Sequence, residues 1–344
     1  MIKPLSVSVA QRLSKAAHWL NTADPTPVIR PLLEKTFALP AGDPRYASNS
    51  LTPGAAPLEP SFSEMEPRML RFTVEPLGPT AGPIDRRDEA THEMRRLVKE
   101  FFGREALHWF DETSEDWRES GTGTRLHYGA FFGNSYDKDG LASAKVFYET
   151  LPSQIARLPH HLARLVEIAK FTMPNLAPLF TSITCRREHG GQRMTFLHRG
   201  ALRLADLGPL LDQLDLSNQL AGIMQTFGLV LGGRFELPDK SVLIALEHGH
   251  HGPEVELYVL LGMIPDLPTN FLDLLAMGLS ERPRELNAML RWMAAFTPES
   301  SDWPGNFSVL SVKTSRSGPP RVSVYLRPVE FEISRDAIED RTAA

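Results

Sequence analysis

The sequence predicts an α+β protein in which about ten antiparallel strands close into a barrel surrounded by α-helices. Two observations support this fold. Segments that alternate with the period of a strand occur in pairs, and each pair is separated by a short turn rich in Gly, Asp or His. Amphipathic helical segments flank the pairs and can cover their apolar faces. Neighbouring hairpins that pair edge to edge lose their exposed edges when the sheet closes.

The composition is that of a globular protein without a strong charge bias. With 344 residues, 42% of them hydrophobic, the chain can bury a sizeable core. The net charge of −5 and the lack of long basic runs argue against nucleic acid as the main partner. The single cysteine, Cys185, excludes an internal disulfide and indicates a reducing compartment. No apolar run is long enough to span a membrane, so we expect a cytoplasmic protein without a membrane partner.

The first part of the chain divides into helices and a Pro-rich segment. Residues 1–37 are predicted to form N-terminal helices at 7–23 and 27–36. Residues 38–67 are rich in Pro, Ala, Ser and Gly and are predicted to lack regular structure. A loop of this length is either a disordered linker or a functional lid. We expect it to cover the mouth of the barrel.

The barrel is expected to occupy residues 68–333, followed by a C-terminal tail at 334–344. Its first strand, 68–76, has apolar residues on one face and Arg71, Thr73 and Glu75 on the other. A helix at 85–102 follows.

The first hairpin carries a charge on its inner face. Residues 124–132 alternate as one strand, turn residues centre near Asp137, and the strand ending at Glu149 carries Lys145. Three further hairpins are predicted at 179–188 with 192–200, 241–248 with 253–262, and 306–315 with 321–328. Helices are predicted at 160–172, 205–216, 218–227, 270–280 and 283–297.

Closure would leave an internal chamber, because nine or ten strands enclose more room than side chains fill. The row predicted to face it is mixed in character and comprises Arg71, Glu75, Lys145, Phe147, Arg193, Glu256 and Tyr258. The alternative is an open antiparallel sheet with one layer of helices, whose polar face meets water. The mixed character of the row favours the closed barrel.

Two short motifs resemble those of a known family. The strand AKVFYE, 144–149, resembles the Lys-x-Tyr strand of the dimethylallyltryptophan synthase group, and FTVEP, 72–76, resembles the first-strand motif of cyanobactin-type peptide prenyltransferases. With its hairpins and outer helices, the chain resembles the ABBA-fold prenyltransferases over residues 68–330. The resemblance implies a metal-independent transfer of a dimethylallyl or longer prenyl group from its diphosphate. The implied acceptor is an indole, a phenol, or a peptide side chain such as Trp, Tyr or Arg.

The resemblance also implies roles for individual residues. Glu75 would be the catalytic glutamate and Lys145 a diphosphate ligand, whereas Phe147 stands where the family usually has Tyr. Glu256-x-Tyr258 replaces the Gln-x-Tyr of the synthases, and Tyr325 matches their last tyrosine-bearing strand. The acidic pair Glu254 and Glu256 is expected to face the acceptor.

The chemistry of an allylic diphosphate is consistent with these roles. The charge of the leaving group must be neutralised, and the sequence has no DDxxD-like pair to recruit Mg²⁺, so no metal or other cofactor is expected. The candidate diphosphate ligands are Arg71, Arg125, Lys145 and Arg193. The candidate aromatic shields for the carbocation are Phe147, Tyr258 and Tyr325.

Each assignment has a structural alternative. Glu75 next to Arg71 fits an ion pair, and tyrosines favour strands by propensity alone. The histidines of the turn 248–251 lack a cysteine partner and do not predict a zinc site. Two other functions stay open: a non-catalytic barrel that binds a lipid or peptide, and an interaction protein with an open sheet that uses residues 38–67 for docking.

Overall fold

Ten strands hydrogen-bond in one closed ring in the computed structural model of the protein, which describes residues 4–119 and 125–334. Around the ring the strands follow the order β1-β12-β11-β10-β9-β6-β5-β4-β3-β2, and every neighbouring pair is antiparallel. The predicted closed barrel is confirmed, and the open sheet is wrong.

The ten strands belong to five hairpins, each made of two strands consecutive in the ring. The barrel strands are β1 (Leu58–Ser63), β2 (Leu70–Val74), β3 (Ala130–Asp137), β4 (Gly140–Glu149), β5 (Leu176–Arg186), β6 (Gly190–His198), β9 (Val242–Gly249), β10 (Gly252–Leu260), β11 (Gly305–Thr314) and β12 (Arg321–Pro328). Two short strands, β7 (Leu202–Arg203) and β8 (Glu236–Leu237), form a separate two-stranded sheet.

The segment 38–67 contains a barrel strand that the sequence analysis placed in a loop. The prediction that it lacks regular structure is wrong for β1, which closes the ring between β2 and β12. Pro60 in the middle of β1 concealed the strand, because proline cannot donate to a sheet ladder. The ladder to β12 begins only at Ser61, so the missing N–H of Pro60 breaks no bond there.

The first predicted hairpin has the correct turn but a shifted first strand. β3 begins at Ala130, not at residue 124, which lies outside the described residues. Gly133 and Asn134, which precede the turn, belong to this strand. Gly133 lines the chamber, where a Cβ atom would lie in ordinary contact with Thr73 and Phe147.

The helices lie outside the barrel and bury its outer, aliphatic face. They are α1 (Leu5–Leu20), α2 (Thr26–Thr36), α3 (Pro83–Leu97), α4 (Gly103–Arg118), α5 (His160–Thr172), α6 (Gly208–Gln213), α7 (Leu220–Val230), α8 (Phe271–Gly278) and α9 (Pro283–Phe296). α3 passes through a π-helical turn, Val98–Phe102, into α4, a helix that the sequence analysis missed. Nearly all of the predicted C-terminal tail, residues 335–344, lies outside the described residues.

The core is the layer between these helices and the sheet. Outward residues such as Phe72, Phe132 and Val146 are fully buried there. The inner face is instead left to polar and aromatic side chains. Within the described part of the chain, no helix combines the length and apolar character needed to cross a bilayer.

Candidate active site

Inward side chains of successive strands form rungs around a cavity of about 440 Å³. A rung is a row of directly paired residues on neighbouring strands. Because side chains alternate between the two faces of a strand, every second residue contributes to the chamber. The register therefore identifies which of the predicted residues lie next to each other.

One rung places two arginines on either side of a pair of serines. Arg71 of β2 pairs with Ser135 of β3, which pairs with Ser143 of β4, which pairs with Arg186 of β5. The two serine hydroxyls are 2.6 Å apart. Three strand spacings separate the arginine backbones by about 14 Å, and the small serines leave the space between them open. Arg71 has only a long contact, 3.8 Å, with Glu66 at the rim.

The next rung contains Lys145 and Glu59, three strands apart. Glu59 of β1 pairs with Thr73, which pairs with Gly133, which pairs with Lys145 of β4. The Lys145 Nζ atom lies 4.8 Å from the ring centre of Phe147. It forms no ion pair with a carboxylate of the described residues. Burial and the nearby positive charge of Arg193 lower the pKa of Lys145 to about 7.

Arg193 of β6 is engaged in a network of acidic and phenolic groups. Its guanidinium donates to Glu247 at 2.9 Å, to Glu256 at 2.5 Å and to the Tyr258 hydroxyl at 2.6 Å. Burial opposes ionisation of Glu256, but Arg193 outweighs it and holds the pKa of Glu256 at about 2. Both carboxylates are therefore charged, and the positive charge of Arg193 is already compensated.

The positive charge of Lys313 of β11 is also neutralised by nearby carboxylates. Its Nζ atom lies 2.6 Å from Glu254 and 3.4 Å from Glu247. Glu254 does not line the chamber. The acidic pair that the sequence analysis assigned to the acceptor thus neutralises two cations. Among the described residues, the chamber cations that no carboxylate hydrogen-bonds are Arg71, Lys145 and Arg186; Arg71 has only the long contact with Glu66.

The predicted aromatic residues all line the chamber. Phe147 lies beside Lys145, and the rings of Tyr258 and Tyr325 are 6.1 Å apart. Burial raises the pKa of Tyr325 to about 12, so its hydroxyl stays neutral. Phe131 and Phe180, whose ring centres are 5.4 Å apart, extend the aromatic lining.

Glu75 does not face the chamber, which contradicts the predicted inner row. It follows the last residue of β2, is fully buried, and accepts hydrogen bonds from the backbone N–H groups of Ser50 and Leu51. Arg86 of α3 forms an ion pair with it at 3.1 Å. Glu75 therefore anchors the segment before β1, and Ser50 and Leu51 of that segment line the chamber. That this segment covers the mouth stays a prediction.

Replacing Glu75 by glutamine is expected to lower the free energy of unfolding by about 3–5 kcal/mol, because it leaves Arg86 buried without its counterion. Urea denaturation measures the change. The control is Glu89→Gln, which breaks an exposed ion pair with Lys35 and is expected to cost less than about 1 kcal/mol. A Glu75→Gln protein of normal stability that had lost turnover would restore the predicted role of Glu75 as a base.

Arg125 is exposed and does not line the chamber. The prediction that it faces inward is wrong, because it precedes the start of β3 and is not part of a strand. The histidines of the β9–β10 turn lie at the end of the barrel. Within residues 4–119 and 125–334, no three His, Cys, Asp or Glu side chains are grouped to hold a metal ion.

Glu59 is the acidic residue that the sequence analysis missed. It is 7% exposed, lines the chamber, and accepts a hydrogen bond from the Ser308 hydroxyl at 2.7 Å. Burial raises its pKa to about 7. The available signal was the alternation in LEPSFS, residues 58–63, of Leu58 and Phe62 with Glu59, Ser61 and Ser63.

The fold is the ABBA-type barrel found in structures of prenyltransferases. The structure resembles the prenyltransferase PriB, with a TM-score of 0.74 and 16% identity over 96% of this chain and 98% of that one. It resembles 6-dimethylallyltryptophan synthase from Micromonospora olivasterospora (TM-score 0.75, 16% identity, coverage 96% and 99%) and 5-dimethylallyltryptophan synthase from Streptomyces coelicolor (0.72, 15%, 97% and 100%). No protein-family profile and no curated protein matches the sequence.

Proposed function

We propose that the protein transfers a dimethylallyl or longer prenyl group from its diphosphate to an electron-rich acceptor without a metal ion. The acceptor is an indole, a phenol, or a peptide side chain such as Trp, Tyr or Arg. The observation that carries this proposal is the amine of Lys145, which lies in the chamber on the rung next to that of Arg71 and Arg186 and forms no ion pair with a carboxylate of the described residues. Such a cation calls for an anionic ligand, and guanidinium groups match the geometry of phosphate.

The reaction begins when the allylic C–O bond breaks and the diphosphate leaves with the electron pair. Lys145, Arg71 and Arg186 neutralise the leaving group. The faces of Phe147, Tyr258 and Tyr325 stabilise the allylic cation. For a ring acceptor, a ring carbon attacks the cation to form the new C–C bond. Glu59 lies on the same rung as Lys145, three strands away. It accepts the proton that the acceptor loses.

Two of the predicted residues take different parts in this proposal. Arg193 forms ion pairs with Glu247 and Glu256, so it does not bind the diphosphate directly. It acts as a positioning residue, because its positive charge affects Lys145. Glu256 holds Arg193 in place and does not bind the acceptor.

The ligands of similar structures support the proposal. One PriB structure is a ternary complex with L-tryptophan and dimethylallyl thiolodiphosphate, and another is a binary complex with diphosphate. The 6-dimethylallyltryptophan synthase structure contains a dimethylallyl thiolodiphosphate and Trp.

The test is a mass-spectrometric assay of the purified protein with dimethylallyl or geranyl diphosphate, in EDTA and in Mg²⁺. The acceptors are tryptophan, tyrosine, arginine, indole and cyclic peptides, in free and blocked forms. A mass gain of one prenyl unit in EDTA is the expected result. Calorimetry with a prenyl thiolodiphosphate separates the alternatives. Binding without transfer means that the acceptor is missing, whereas absence of binding favours a barrel that binds a lipid or peptide.

Diphosphate binding is expected to weaken as the pH rises above 7. The pKa of Lys145 in the free site is about 7, and a bound diphosphate raises it, so binding takes up a proton. The dissociation constant for a prenyl thiolodiphosphate should rise about tenfold between pH 7.5 and 8.5. Calorimetry in the Glu59→Gln background measures this without the titration of Glu59.

The matched control is Lys145→Arg in the same background. A guanidinium stays charged over this range, so its dissociation constant should be independent of pH. An equal pH dependence in both proteins would show that a group other than Lys145 takes up the proton.

A further inference from the structure

The free cations divide the chamber into two sides. Arg71, Lys145 and Arg186 belong to β2, β4 and β5 and lie on two adjacent rungs. A diphosphate bound by all three fills this side. The acceptor must then occupy the remaining space, which contains Glu59, the group proposed to take its proton.

The remaining lining is mixed. It includes Phe131, Phe180, Leu243 and Val309 together with Thr195, Tyr258 and Tyr325. Glu59, Ser50 and Leu51 also line the chamber. The acceptor side is therefore shaped for a flat apolar ring that donates one hydrogen bond to Glu59.

With Arg71, Lys145 and Arg186 bound to the diphosphate, no free cation is left for the acceptor among the chamber residues that the structure describes. Arg193 is bound by Glu247 and Glu256, and Lys313 is bound by Glu247 and Glu254.

A second acidic group adds to the negative character of this end of the barrel. Glu149 pairs with Phe180 in the register of β4 and β5. Its carboxylate accepts hydrogen bonds from the backbone N–H groups of His127, Tyr128 and Gly129 at 2.6–2.9 Å. These three N–H groups hold the carboxylate of Glu149 in place. They are therefore not available to bind an anionic ligand.

A carboxylate on the acceptor would therefore lose its hydration without gaining a counterion. Burial of an unpaired charge is strongly unfavourable, and repulsion by Glu59 increases the cost. We propose that the acceptor carries no carboxylate: it is an indole or phenol ring whose amino-acid carboxyl group, where there is one, is blocked as an amide. This inference rests on the proposed function. It separates the protein from the similar structures that contain free tryptophan.

The test compares acceptors that differ only in this group. N-acetyl-L-tryptophan and N-acetyl-L-tryptophanamide form one pair, and the corresponding tyrosine derivatives form another. With dimethylallyl diphosphate, kcat/KM is expected to be at least about tenfold higher for the amide of the preferred ring. Equal values for acid and amide, or a preference for the acid, would overturn the inference.

A variant that supplies the missing cation gives a second test. Thr195 lines the chamber and pairs with Phe180 and with Ala245. Thr195→Lys is expected to raise the acid-to-amide ratio of kcat/KM at least about tenfold through the new charge. Thr195→Gln, which adds length without charge, should leave the ratio as it is. If lysine does not change the ratio in a folded protein, charge does not determine the choice.

Binding measurements distinguish failure of this inference from failure of the proposed function. Calorimetry first establishes whether dimethylallyl or geranyl thiolodiphosphate binds; if neither binds, the proposed function fails. If one binds and no acceptor is modified, the same acid and amide pairs are titrated into the complex. Tighter binding of the amide supports the inference, and equal or absent binding of the amide contradicts it.

Discussion

Replacing Lys145 by alanine is expected to lower kcat/KM for prenyl transfer about 100- to 1,000-fold, the loss that follows removal of one preorganised group facing developing charge. The amine is the central cation of three, between the arginines of the neighbouring rung. Its loss leaves the leaving group in contact with two guanidiniums at the ends of the cluster. Steady-state kinetics and calorimetry with the thiolodiphosphate measure the effect on transfer and on binding.

The control for this substitution is Lys138→Ala. Lys138 belongs to the same hairpin but is exposed in its turn, so the variant tests the loss of a lysine without the loss of the cluster. Its kinetics and its affinity for the thiolodiphosphate should be those of the unmodified protein. Unchanged binding in Lys145→Ala would move the diphosphate away from this cluster and remove the main support for the proposed function.

Replacing Glu59 by glutamine is expected to lower kcat about 100- to 10,000-fold, the contribution of a positioned general base. Diphosphate binding should persist, because the three cations are untouched. The pKa of Glu59 in the free site is about 7, and the base must be ionised, so kcat/KM of the unmodified protein should rise tenfold per pH unit below 7. That rise should be absent in Glu59→Gln.

Glu75→Gln is the comparison that decides between the two glutamates. The protein should be less stable but should retain its kcat per folded molecule, because its carboxylate contacts Ser50, Leu51 and Arg86 rather than the chamber. If Glu59→Gln retains full turnover at all pH values while Glu75→Gln does not, the proton is taken by Glu75 or through it.

The hairpins were predictable because each is a local signal. The alternation of each strand and the residues of its turn lie within about 25 residues of one another. The closed ring then follows when the edges of neighbouring hairpins pair. The same alternation correctly placed Arg71, Lys145, Phe147 and Tyr258 on the inner face. Positions at the ends of strands were less predictable: Glu75 lies one residue beyond β2, where the chain leaves the sheet and its side chain turns to α3.

The state of each charge was not predictable from the sequence. Arg193 and Lys145 have the same alternation signal, yet one is saturated by carboxylates from β9 and β10 and the other is free. That difference depends on which strands become neighbours. Glu59 was missed for another reason, since the prolines around it match the composition of a loop, and only the pairing of β1 with both β2 and β12 identifies the segment as a strand.

The position of β1 also determines when during synthesis the protein becomes competent. This strand carries Glu59 and completes the ring only when it pairs with β12, through contacts such as Ser61 with Tyr325. Contacts between residues so distant in sequence form slowly, because the loop entropy must be overcome first. A nascent chain whose strands β1 to β10 have left the ribosome therefore still has an open seam next to Glu59, where β12 is missing beside β1. Water reaches the unfinished chamber through this seam, so the allylic cation of the proposed reaction would be shielded only after β12 has been translated and has paired with β1.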